Sequence, residues 1–92
     1  MNYLVTLEEA VAHLRANIED NVEIYSKIAQ ASDIVIDYVT DPERYSWTDE
    51  TVPPRVKSAT LLVLTALWDG EEEPLNHAVR ALLRRLRDPS LA

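Results

Sequence analysis

Apolar positions in this chain recur at helical spacing in four stretches and nowhere alternate as a half-buried strand would. In residues 7–15, Leu7, Val11 and Leu14 fall on one face, with Ala10 beside them. Residues 21–39 carry two adjoining stripes. Tyr25, Ile28, Ser32, Val35 and Val39 form one; Ile24, Ala31, Ile34 and Tyr38 form the other. Together they make an apolar face wider than one small neighbour covers. The third stretch, residues 53–68, has almost no polar side between Ala59 and Trp68. Val56, Thr60, Val63, Leu64 and Leu67 point one way, and Ala59, Leu61, Leu62 and Ala66 cover most of the rest. A helix of this kind is central, wrapped by other helices, by a second copy, or by both. In residues 75–87, Leu75, Val79, Leu82, Leu83 and Leu86 take the inner face, and the arginines lie outside it. The pattern predicts an all-α fold: a small bundle of about four helices with a central, nearly all-apolar third helix.

Punctuation agrees with the periodicity. "TLEE" at residues 6–9 is a capping box: the Thr6 hydroxyl can accept from the Glu9 amide while the Glu9 carboxylate reaches back to the Thr6 amide. Asn17 is expected to help end that first helix. "DNVE" at residues 20–23 has the same form, with Asp20 as the cap of a long second helix. Pro42 stops that helix from propagating, and residues 40–52 read as a loop long enough to need tying down. Tyr45 and Trp47 can do the tying, with Trp47 either packed on the chain's own core or offered to a partner as an aromatic anchor. Pro53 and Pro54 suit a helical first turn, and Gly70, the chain's one glycine, suits the left-handed position after the last turn. "EEEPLN" at residues 71–76 is an exposed acidic connector.

Length and charge narrow the picture. At 92 residues the chain is expected to be one domain, residues 1–92, whose core is thin enough to gain from association. Net charge is −7 and lopsided: residues 1–50 hold 11 acids and 3 bases, a net −8, and residues 51–92 hold 5 acids and 6 bases, a net +1. Most of the positive charge sits on Arg80, Arg84, Arg85 and Arg87, either as a solvated helix face or as the basic end of a two-ended molecule. The first residues, "MNYLVTLEEA", lack a basic region followed by an apolar run, so no signal peptide is expected. The longest apolar run falls far short of the roughly 20 residues that span a bilayer, and no membrane association is expected.

Little in the sequence carries chemistry. With no cysteine there is no disulfide, thiolate metal site or cysteine nucleophile, an absence that suits a reducing compartment. One glycine cannot build a phosphate-cradling loop. His13 and His77 lie in different helices without metal-ligand spacing, and Asp33, Asp37 and Asp41 read as solvated surface with too few converging ligands for a metal. Ser26, Ser32 and Ser58 lack a nucleophile-elbow setting. The acidic balance opposes nucleic-acid binding despite the arginine-rich end. No catalytic, cofactor-binding or metal-ligating residue is expected, and the chain reads as a binding or assembly module rather than an enzyme.

Three motifs add to this: "VTLEEAVAHLR", "YSWTDETVPPRVKSATLLVLTALWDG" and "HAVRALLRRLRDPSLA", in that order. Together they resemble the head–tail connector (adaptor) family of tailed phages. In that family an opening helix is followed by a long acidic helix, a tryptophan-containing loop, a proline-started apolar helix and a last arginine-bearing helix. The likeness spans nearly the whole chain. Departures are Val11, where a lysine is common, and "WDGEEEPLN", where a tyrosine or asparagine–arginine stretch is usual.

The resemblance implies a structural virion protein at the head–tail junction, present in the host cytoplasm during assembly. Its partners would be further copies in a ring, about twelvefold, together with the portal protein and a downstream connector or tail protein. DNA would pass through the lumen without sequence-specific binding, and no cofactor is implied. Candidate interface residues are then Ile24, Ala31, Ile34 and Tyr38 on the surplus face of the second helix, Tyr45 and Trp47 in the loop, and Arg80, Arg84, Arg85 and Arg87. The basic fourth helix is expected to meet the acidic first half of the next copy. The alternative is a monomeric or dimeric helical module that regulates a host or phage protein, antitoxin-like or anti-repressor in role. A helical enzyme is the most distant possibility.

Overall fold

A computed structural model describes residues 3–86. It is all-helical, with no strand among the described residues. Four α-helices follow in order: α1 (Leu7–Leu14), α2 (Asn21–Tyr38), α3 (Pro54–Trp68) and α4 (His77–Leu83). Single 3₁₀ turns stand at Ile18–Asp20, Arg44–Ser46 and Arg84–Leu86.

Local chemistry sets most helix ends. Thr6 caps α1 with both halves of the box made: the Glu9 amide donates to Thr6 Oγ1 at 3.1 Å and the Thr6 amide to Glu9 Oε1 at 2.9 Å. α1 ends at Leu14 with Arg15 as its cap, where the spacing places it, and Arg15 rather than Asn17 supplies the stop. Arg15 takes a left-handed backbone, φ 55°, and the Ala16 amide reaches back to the Val11 carbonyl at 3.2 Å. The expected box at Asp20 is absent: Asp20 makes no side-chain cap bond. Its backbone (φ −84°, ψ 19°) continues the preceding 3₁₀ turn instead of the extended conformation that a cap needs. α3 opens on Pro54, and the amides of Val56 and Lys57 both bond the Pro53 carbonyl. It closes at Gly70, φ 74°, with the Glu71 amide on Ala66 O at 2.9 Å and the Gly70 amide on Leu67 O at 3.2 Å. α4 begins two residues later than expected, because the Asn76 side chain accepts from the Val79 amide at 3.1 Å. It ends at Leu83 in a 3₁₀ turn, short of the expected Arg87, which lies outside the described residues.

α3 is the central helix and packs against α1, α2 and α4. Val56, Ala59, Thr60, Val63, Leu64 and Ala66 are buried on it. Its threonines solve the problem of polar atoms on a wrapped helix by donating one turn back, Thr60 Oγ1 to Val56 O at 2.8 Å and Thr65 Oγ1 to Leu61 O at 3.1 Å. Long-range polar ties then fasten the other segments. The Leu4 amide donates to the fully buried Ser32 Oγ at 3.1 Å, pinning the N-terminal segment on α2 and carrying Leu4 and Val5 into the core. The Thr40 amide and hydroxyl both donate to Leu86 O, at 2.9 and 3.2 Å, tying the last turn after α4 to the end of α2.

Candidate interaction surfaces

The structure divides the expected interface residues into buried and exposed. Ile24 and Ala31 are fully buried in the chain's own core, so they are corrected from interface to core. The physical reason is that α1 and α3 both pack on α2, and one helix with two covering neighbours buries two stripes. Only Ile34 and Tyr38 of that second stripe stay half-buried at the surface. Trp47, at 5% exposure, packs on the chain's own core and is likewise corrected from the interface set. Tyr45, Arg80, Arg84 and Arg85 are exposed; Arg87 is outside the described residues.

The loop of residues 40–52 is held by its own side chains, as its length requires. Asp41 Oδ1 accepts from the Glu43 amide at 2.8 Å, and Arg44 Nη1 donates to Asp41 O at 2.9 Å. The Arg44 guanidinium lies 4.4 Å over the Tyr45 ring, which restrains that exposed aromatic. Arg44 Nε is buried without a hydrogen-bond partner among the described residues. Thr48 and Thr51 knot the second half: the Thr48 amide donates to Thr51 Oγ1 at 2.9 Å, and the Val52 amide to Thr48 O at 2.9 Å. Trp47 and Val52 then anchor the knot from inside.

Two surfaces come together that periodicity alone did not assemble. One is an open groove of about 400 Å³ between α2 and the connector before α4. Ile34, Pro74 and Leu75 give it apolar walls, and Asp33, Asp37, Glu73 and Arg80 give it charge. Of the expected interface residues it joins Ile34 and Arg80; the connector residues were read only as an exposed acidic link. The other surface lies at the start of α2. Tyr25 belongs by spacing to a core stripe, yet it is 44% exposed and its ring meets that of Tyr3 at 5.9 Å, tilted 57°. Val22, one turn earlier on α2, is 81% exposed. Exposed Glu19, Asp20 and Glu23 surround these side chains in sequence. The signal for this patch is Tyr3, an aromatic that has no place in any helical stripe.

The one ion pair among the described residues is structural. Lys57 Nζ of α3 sits 3.0 Å from Glu9 Oε2 and 3.2 Å from Glu9 Oε1 on α1. Burial pulls the Glu9 carboxyl upward. The Thr6 amide and Lys57 outweigh it and hold the carboxyl below its ordinary value. Arg80, Arg84 and Arg85 make no ion pair with any described residue. Among the described residues no group of three or more histidine or carboxylate side chains is placed to hold a metal ion, and no helix is long and apolar enough to cross a membrane. No protein-family model matches the chain, and neither does a curated protein or a solved structure.

Proposed function

We propose that this chain is a structural connector of a tailed-phage virion, forming a ring on the portal that joins head to tail and extends the DNA channel. The observation that carries this reading is the order and spacing of the three motifs, "VTLEEAVAHLR", "VPPRVKSATLLVLTALW" and "HAVRALL", along one short chain. The all-helical fold is compatible with it. The work asked of such a protein is self-association and docking, for which exposed aromatic and charged surfaces suffice. An acidic chain would also keep passing DNA from sticking to the channel wall, because like charges repel phosphate.

The test is the native mass of the purified protein by light scattering on a sizing column, alone and with portal protein. The expected outcome is a closed ring of about a dozen copies, formed alone or templated by the portal. A discrete dimer indifferent to portal would favour the regulatory helical module. A chain that stays monomeric with portal present would overturn the connector reading.

A further inference from the structure

We propose that the groove between α2 and the connector before α4 binds a short segment of a partner protein in which a lysine or arginine stands beside a leucine-sized apolar side chain. The groove is already formed in the chain. At about 400 Å³ it falls within the roughly 300–1,000 Å³ usual for ligand sites. α2 supplies one wall, and the connector, which supplies the other, is held at both ends. Before it the Glu71 amide bonds Ala66 O, and after it the Asn76 side chain caps α4. Pro74 between them has its φ fixed by its own ring.

The charges in the groove are unspent. Asp33, Asp37, Glu73 and Arg80 line it, and none of these side chains has an ion pair or hydrogen bond among the described residues. Glu9, Lys57, Asp41 and Arg44, by contrast, all have partners within the chain. Asp33 and Asp37 stand four residues apart on α2, a spacing at which like charges repel and a cation between them relieves the repulsion. Ile34, Pro74 and Leu75 are half-buried and leave apolar surface beside these carboxylates.

This mixture selects among occupants. Nucleic acid would bring phosphates against three carboxylates. A purely cationic small molecule would set a like charge against Arg80 and offer its N–H donors no acceptor. A second copy, at net charge −7, is a poorer match for a groove of three acids and one base. A basic and apolar peptide meets every demand. Its lysine or arginine stem lies along the apolar walls while the head reaches the aspartates. Its neighbouring apolar side chain covers Ile34 and Leu75, and its backbone carbonyls accept from Arg80.

The test is an array of short random peptides, with overlapping segments of the chain itself included, probed with the purified protein at low salt. The expected selection is for peptides that pair lysine or arginine with leucine, isoleucine or methionine. D33N/D37N, at exposed positions and with folding checked by circular dichroism, should weaken the selected peptides by about tenfold or more. E19Q/E23Q removes the same charge at exposed positions away from the groove and should leave binding unchanged. Amide NMR shifts caused by a selected peptide should cluster at residues 33–37 and 73–80.

No selection, selection of basic peptides without apolar residues, or equal weakening by the two double variants overturns the proposal. Selection confined to the chain's own segments would make the occupant a second copy and overturn it as well. The inference goes beyond the connector reading and does not depend on it. Failure here leaves ring formation on portal untouched, and a chain that ignores portal leaves the groove and its peptide in place.

Discussion

α3 runs 15 residues, and from Ala59 to Trp68 every side chain on it is buried or half-buried. α4 runs seven residues and buries only Val79 and Leu83. The two helices follow one another in the chain, joined through Gly70 and the acidic connector, yet different forces hold them. α3 is stabilised by burial on nearly all sides, each large side chain contributing about 1.5–3 kcal/mol. α4 is far below the roughly 12–15 residues at which an isolated helix becomes marginal in water. It persists because its inner face, Val79 and Leu83, packs on α3 and both its ends are tied, at the start by the Asn76 cap and at the finish by Thr40 on Leu86 O. In a small domain, then, the centre can rely on non-directional packing. The margin depends on a few directional bonds, and loosening one of those should act locally.

The largest effect is expected where the packing is densest. Leu64→Ala in α3 empties a fully buried site and should cost about 2–5 kcal/mol, read as a drop in the urea midpoint with all helices lost together. Gly70→Ala tests the hinge between the two regimes. An added methyl meets no atom within 4 Å, but φ of 74° strains any residue with a side chain. The expected loss is about 1–2 kcal/mol; an unchanged midpoint would show that the turn relaxes freely. Asn76→Ala removes the α4 cap and should cost about 1 kcal/mol. Hydrogen exchange should speed up at the α4 amides while the α3 amides keep their protection, and equal loss in both would erase the contrast drawn above.

The smallest effect concerns the Glu9–Lys57 pair between α1 and α3. The folded Glu9 carboxyl lies below its ordinary value near 4.5, so its contribution is present above that value and is lost as pH falls through the lower, folded value. Both partners are substantially solvated, which limits the pair to a few tenths of a kcal/mol. Lys57→Met should therefore lower the unfolding midpoint slightly at about pH 7, and the difference should fade as pH falls through the lowered Glu9 value. A difference that persists at the acid end would assign the role of Lys57 to its aliphatic stem rather than its charge.

Much of this was legible along the chain, where the controlling interaction is local. The Thr6–Glu9 box spans four residues, and Pro54 and Gly70 bound α3 through their own backbone preferences. The apolar belt of α3 could also be read, since a helix without a polar side has nowhere to go but inward. Local rules misled where two of them competed. At Asp20 the 3₁₀ turn used the backbone that the cap required, and at Arg15 a non-glycine residue took the left-handed position. The candidate surface was less legible. Ile24 and Ile34 share a stripe of α2, yet one is fully buried and the other lines a groove. Tyr25 has the spacing of a core residue and the exposure of a surface one.

What the sequence by itself determined is the helical class, the order of the helices, most of their boundaries and the inward face of each, because these depend on spacing and on contacts within about four residues. What only the tertiary structure decided is which stripes are covered, which ends meet and which charges stay unpaired. Leu4 on Ser32, Glu9 on Lys57 and Thr40 on Leu86 join residues 28, 48 and 46 positions apart. No periodicity encodes such partners. They follow from how four amphipathic rods share one small core, and burial, being non-directional, sets which faces point inward but leaves to directional bonds the choice of neighbours.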